Sequence, residues 1–99
     1  MKTEDIILHK LEIDPKFSRR LPDVVLARQL YCFIERYEKK VKLKTIGANI
    51  GLEYSTVIRH VERFKGMLDV GDEQAVSLYN DFKYWESALV YKPINNDTF

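Results

Sequence analysis

The apolar residues of this 99-residue chain recur at helical spacing rather than in strict alternation. In the stretch 22–39 they step by i, i+4, i+7 and i+11, a pattern that defines one helical face. This stripe consists of Leu26, Leu30, Phe33 and Tyr37. Pro22 suits the first turn of such a helix, because the N–H that proline lacks has no partner there. The pattern predicts a helix over about 22–39 that ends in a lysine-rich turn.

A shorter helix is predicted over 43–50. Its apolar positions recur at i, i+3 and i+7, and they are Leu43, Ile46 and Ile50. Lys42 precedes the first turn, although lysine is not a capping residue. Gly51 follows the last turn and suits a helix end, because glycine readily takes the positive φ that such ends require.

Two longer helices are predicted after this one. Ser55 can cap the first of them, which we expect to end at Gly71. The second covers about 72–90, and Asp72 and Glu73 place negative charge at its positive end. The apolar stripes are Val57, Val61, Phe64 and Leu68 in the first helix and Leu78, Phe82, Trp85 and Leu89 in the second.

The two ends of the chain are less regular. The short apolar run at 6–8 fits a helix or a strand, and Asp14-Pro15 interrupts any element there. We therefore divide the chain into an N-terminal arm (1–21), one helical domain (22–92) and a C-terminal tail (93–99). The expected fold is all-α with four to five helices. The expected core comprises Leu26, Leu30, Phe33, Ile46, Val57, Val61, Phe64, Phe82 and Trp85.

The formal net charge of +1 hides an uneven distribution along the chain. Residues 16–65 carry 12 basic and 5 acidic residues, a net charge of +7. The segments 1–15 and 66–99 have net charges of −2 and −4. A basic middle between acidic ends is typical of a surface that faces a polyanion, although a solvated surface with chance clustering gives the same pattern.

The stretch 43–59 reads as a short helix, a tight turn at Gly51 and a second helix that opens with hydroxyl side chains. This is the order of a helix-turn-helix, whose second helix enters the major groove of DNA with its N-terminal residues toward the bases. Arg59 and Arg63 lie one and two turns further on and can reach phosphates. The alternative interpretation is a helical hairpin in a bundle that binds no ligand.

Several separate blocks of this chain resemble the C-terminal DNA-binding domain of the bacterial replication initiator DnaA. The blocks are Arg28-Gln29, Leu43-x-x-Ile46-Gly47, Gly51 and Ser55-Thr56-Val57-Ile58. The resemblance covers about residues 19–88. It implies an all-helical, Trp-repressor-like fold and binding of double-stranded DNA.

The resemblance also implies roles for residues before and within the first long helix. In that family a basic loop ahead of this helix sends an arginine into the minor groove. Arg19 or Arg20 occupies the matching position. The pair Arg28-Gln29 matches an Arg-Gln pair that lies near the DNA backbone.

In the family, an Asp-His-Thr triplet at the start of the recognition helix reads the bases. The matching residues here are Glu53, Tyr54 and Ser55, and the resemblance implies that Thr56 contacts a phosphate. The turn before this triplet is one residue shorter and lacks the family's Gly-Gly-Arg. Base contacts depend on the geometry of donors and acceptors, so these departures argue against the family's usual nine-base target. Tyr54 is expected to donate one hydrogen bond or contact a thymine methyl, and its alternative role is packing in the turn.

The sequence predicts no enzyme, cofactor or metal. The phosphate-binding loop G-x-x-x-x-G-K-[ST] of an ATPase is absent, so we expect a stand-alone relative rather than a complete initiator. His9 and His60 have no Cys or carboxylate at ligand spacing. Glu35 and Glu38 lie one turn apart on a basic helix, which indicates surface ion pairs. Cys32 stands in an apolar stretch and is expected to be buried.

We therefore predict a monomeric or weakly dimeric, cytoplasmic domain that binds duplex DNA and neither a membrane nor a small-molecule substrate. Its role would lie in replication or transcription. The expected phosphate contacts are Arg28, Lys42, Lys44, Thr56, Arg59 and Arg63. The alternative is a protein-interaction or dimerisation module that uses the acidic last helix, with Tyr79, Tyr84 and Tyr91 partly exposed.

Overall fold

The computed structural model describes residues 2–13 and 22–90 of the chain. These residues form five helices and no strand, which confirms the predicted all-α class with four to five helices. The second helix continues without a break into a π-helical turn, Ile34–Glu38. The helices are α1 (Thr3–Lys10), α2 (Pro22–Phe33), α3 (Leu43–Ile50), α4 (Tyr54–Asp69) and α5 (Glu73–Val90).

The helix boundaries follow the sequence signals closely, with one exception. Gly51 ends α3 in the left-handed conformation (φ 71°), as its position predicts. The backbone N–H of Ala75 donates to Asp72 Oδ1 at 3.0 Å and so caps α5. The prediction that Ser55 caps α4 is wrong, because α4 begins at Tyr54, two residues earlier than such a cap requires, and Glu53 occupies the cap position. The Glu53 side chain makes no capping hydrogen bond.

The N-terminal segment contains a helix that contributes to the core. Of the two forms that the sequence left open for this segment, the structure has the helix, α1. Ile6 and Ile7 are 1% and 0% exposed and belong to the same apolar cluster as the later helices. The Lys10 ammonium lies 4.9 Å from the centre of the Trp85 ring, which adds a cation–π contact between α1 and α5.

The second helix is surrounded by the others and buries a wider face than its apolar stripe predicts. Ala27, Tyr31 and Ile34 are fully buried, whereas Tyr37, which the stripe placed inside, is 45% exposed. The cause is packing, because α1, α4 and α5 all contact α2. Six of the nine predicted core residues are buried: Leu30, Ile46, Val57, Val61, Phe64 and Phe82. Three are half-buried and pack against the core: Leu26, Phe33 and Trp85.

Glu35 forms the expected ion pair one turn along its helix, with Oε2 3.8 Å from Lys39 Nζ, but it is buried rather than on the surface. Its carboxylate is buried and accepts a hydrogen bond of 2.6 Å from Thr3 Oγ1 on α1. Glu38 does form the expected surface pair, with Lys83 Nζ of α5 at 2.5 Å. The buried Glu35 carboxylate needs the hydrogen bond from Thr3, because burying a carboxylate without a partner costs several kcal/mol of folding free energy, roughly. The two glutamates thus tie the π-helical turn to the first and last helices.

The turn between α3 and α4 brings the backbone close to Gly47. The N–H of Leu52 donates to the carbonyl of Gly47 at 2.8 Å. A Cβ atom added at Gly47 would lie 2.3 Å from the Leu52 carbonyl oxygen and 3.3 Å from a methyl of Val57. The helix-turn-helix segment therefore closes only because residue 47 has no side chain.

We expect Gly47→Ala to destabilise the domain, because the backbone of the turn must move to admit the new methyl group. The loss should exceed ~1 kcal/mol, as is typical of overpacking at a close contact. Gly66→Ala is the matched control, since nothing lies within 4 Å of an added Cβ there. That control should gain about 0.5–1 kcal/mol from helix propensity. Urea unfolding measures both, and equal effects would contradict the close approach.

Candidate nucleic-acid interface

A groove of about 650 Å³ lies between α2, the turn after α3 and the outer side of α4. Its apolar wall is made by Val25, Ile50 and Leu52. Its polar lining is Arg28, Gln29, Thr56, Arg59, His60 and Arg63. Five of these six residues were predicted from the sequence as DNA contacts, and the fold brings them into one surface. We call this surface the cationic groove.

Among the described residues, the charged side chains that line the cationic groove are basic. Three arginines line it, and no carboxylate does among the described residues. Their effect is visible at His60, whose pKa lies below its ordinary value of 6.5. Burial is the largest cause, and the charges of Arg28, Arg59 and Arg63 lower the pKa further. The part of this shift that comes from the arginines reflects a local positive charge, which favours an anion.

Arg28 and Gln29 lie at the base of the groove. Both sit on α2 and are only 9% and 8% exposed. The next two residues of the helix, Leu30 and Tyr31, are fully buried in the core. The Tyr31 hydroxyl accepts a hydrogen bond of 3.3 Å from Asn49 Nδ2, which links α2 to α3. The base of the groove is therefore formed by side chains that are almost completely buried.

The rim is formed by Arg59 and Arg63 on α4. Both are exposed and lie four residues apart, hence on one side of the helix. The opposite side of α4 buries Val57, Val61 and Phe64 in the core. The helix is thus oriented by its apolar stripe, and this orientation directs the two arginines outward.

The N-terminus of α4 is exposed beside the groove. Glu53, Tyr54 and Ser55 are exposed, and Tyr54 reaches 52% exposure, while Thr56 is half-buried. The first hydrogen bond of the helix is donated by the N–H of Val57 to the Glu53 carbonyl. The preceding N–H groups have no partner within the helix, and this end carries the positive pole of the helix dipole.

Other predicted contacts are not part of this surface. Lys42 and Lys44 are exposed at the start of α3, but they do not line the groove. Arg19 and Arg20 lie outside the described residues, as does Tyr91. The Tyr79 hydroxyl donates to Glu38 at 2.6 Å, so this residue is already engaged within the domain. Tyr84 is 64% exposed.

The structure offers few groups for other chemistry. Cys32 is buried as expected, and burial raises the pKa of its thiol to about 12, which keeps it protonated. Within 2–13 and 22–90, no three His, Cys, Asp or Glu side chains are grouped so that they could hold a metal ion. None of the helices in those ranges is long and apolar enough to cross a membrane.

No protein-family model, curated protein or solved structure matches this chain. The resemblance to the DNA-binding domain of the replication initiator therefore stays a prediction. What the interface can do is argued below from its own geometry and charge.

His60 is the groove residue that the sequence analysis did not select as a site residue. It follows Arg59 directly and precedes Arg63 by three residues, so a basic cluster on one side of α4 was readable from the spacing. The missing information was the position of Arg28, which only the packing of α2 against α4 provides.

The lowered pKa of His60 predicts acid sensitivity of the folded state. The unfolded chain binds a proton near pH 6.5, whereas the folded chain resists protonation until lower pH. This contribution to stability is therefore complete above pH 6.5 and is lost as the pH falls below it. We expect His60→Gln to reduce the fall in unfolding free energy on acidification, as measured by urea unfolding across this range. The control variant His9→Gln, on α1, should keep the fall in unfolding free energy that His60 causes. Identical pH profiles for the two variants would contradict the role of His60.

Proposed function

We propose that this domain binds double-stranded DNA through its helix-turn-helix, with α4 as the recognition helix. The observation that carries the proposal is the cationic groove together with the exposed N-terminus of α4 beside it. Duplex DNA presents closely spaced phosphates, and arginines that neutralise them supply most of the sequence-independent affinity. A surface with three arginines and no carboxylate among its described residues suits that ligand.

We assign different tasks to the two parts of this surface. The arginines at 28, 59 and 63 contact phosphates and set the position of the domain on the duplex. The residues at the start of α4 face the base edges, where Tyr54 and Ser55 offer hydroxyl groups and Glu53 offers acceptors. The hydroxyl of Thr56 and the free N–H groups at this helix end contact a phosphate between the two parts.

The first test is the salt dependence of duplex affinity. Each neutralised phosphate contributes about −0.9 to the slope of log K against log salt. We expect the double variant Arg59→Ala/Arg63→Ala to weaken binding to all sequences alike and to reduce the slope by about 2. Fluorescence anisotropy with a labelled duplex at several salt concentrations measures both quantities.

The matched control is Lys2→Ala/Lys65→Ala, which removes the same charge from exposed positions outside the groove. This variant should retain nearly the full slope of the unmodified domain. An equal loss in both double variants would show that net charge alone accounts for binding. A flat salt dependence of the unmodified domain would contradict the proposed function itself.

The second test separates base reading from phosphate binding. Tyr54→Ala removes an exposed ring at the start of α4 without touching the core. We expect it to change the preference between sequences, whereas the double arginine variant should lower affinity uniformly. Selection from a random duplex pool with each protein gives the preferred sequences. The same altered preference in both variants would show that the two tasks are not divided as proposed.

The alternative function, protein interaction through α5, has less support. Of the two described tyrosines that suggested it, Tyr79 is engaged by Glu38. A single exposed tyrosine, Tyr84, remains, and its ring packs edge-on against Trp85 at 5.1 Å. We therefore favour a monomer or weak dimer, which size-exclusion chromatography at micromolar concentration checks.

A further inference from the structure

We propose that His60 is a phosphate ligand of the cationic groove, and that it binds the phosphate as a protonated imidazolium. Occupancy of the groove is then coupled to uptake of one proton. This inference deepens the proposed function and rests on it, since the phosphate in question belongs to the DNA backbone. Free phosphate offers the same chemistry, and the experiment below distinguishes the two sources.

The position of His60 supports a role in binding. It lies on the side of α4 that faces α2 across the groove, and it is half-buried while Arg59 and Arg63 are exposed. The imidazole therefore lines the groove between the nine-tenths buried Arg28 below and the two arginines at the rim. An anion that contacts the arginines of both helices would occupy the groove that this ring lines.

Among the described residues, the charged groups that act on His60 are all cationic. Arg28 acts on it from α2, and Arg59 and Arg63 act on it from α4. The turn after α3 contributes Ile50, Gly51 and Leu52 to the groove, none of which titrates. Burial and the three arginines lower the pKa of the imidazole, which favours its neutral form.

A bound phosphate reverses this balance. Its negative charge offsets the arginines, and a nearby opposite charge typically raises the pKa of a titrating group by about 1–3 pH units. The added proton gives the imidazole a second N–H donor and a positive charge for the phosphate. Because coupling between two binding events is reciprocal, protonation must tighten phosphate binding by the same factor.

Proton NMR of the histidine ring signals tests the inference directly. The chain has only two histidines, so His9→Gln and His60→Gln assign both sets of signals. We expect the titration midpoint of His60 to rise by about one pH unit or more when a duplex is added. His9, which does not line the groove, should keep its midpoint and serves as an internal control.

Duplex affinity gives a second readout that a purely structural histidine would not change. Between pH 8 and pH 6 the unmodified domain should gain about five- to tenfold in affinity, a range estimated from the size of the expected pKa change. His60→Gln should lose most of this gain when its affinity at pH 6 is compared with its own affinity at pH 8. His9→Gln should keep the gain.

The outcomes separate this inference from the proposed function. A duplex that binds without moving the His60 midpoint overturns the inference and leaves DNA binding intact. If no duplex binds, the proposed function fails, and a titration with inorganic phosphate decides the inference alone. A rise of the His60 midpoint with inorganic phosphate then identifies a site for free phosphate. No rise with either ligand overturns the inference.

Discussion

The packing of α2 against α4 is the contact on which both the core and the cationic groove depend. On the inner side, Leu30 and Phe64 are fully buried, and Phe33 lies with its ring centre 5.4 Å from that of Phe64. Burying side chains of this size contributes about 1.5–3 kcal/mol each. On the outer side of the same contact, Arg28 and His60 line one groove. Stability and the candidate site therefore share one interface.

The distribution of charge follows from this arrangement. Glu35 and Glu38 lie in the π-helical turn after α2, and neither lines the groove. Glu35 accepts a hydrogen bond from Thr3, and Glu38 pairs with Lys83. These contacts connect α1 and α5 to the middle of the domain. On the groove side, the charged side chains among the described lining residues are all basic. Like charges placed together oppose folding, so their concentration in one concave surface is more typical of a binding site than of a structural device.

Local signals along the chain were sufficient to predict the positions of the helices from α2 onward. Gly51 and Gly71 mark two turns and both adopt positive φ, and the apolar stripe of α4 correctly placed Val57, Val61 and Phe64 in the core. The stripe of α2 was less informative, because a helix that is contacted on several sides has no single buried face. The role of α1 could not be predicted, since eight residues with a short apolar run gain their stability from packing rather than from propensity.

Sequence patterns alone were enough to predict the all-helical class, the order of helices around Gly51, and the basic residues at 59 and 63 that face away from the core. These features depend on neighbours within a few residues, which periodicity and turn chemistry describe well. The packed fold was needed to show that Arg28 and Gln29 line the same groove as His60, and that Glu35 is buried against Thr3. Each of these contacts joins residues about 30 positions apart. No local pattern encodes such distances, because they are set by how whole helices pack.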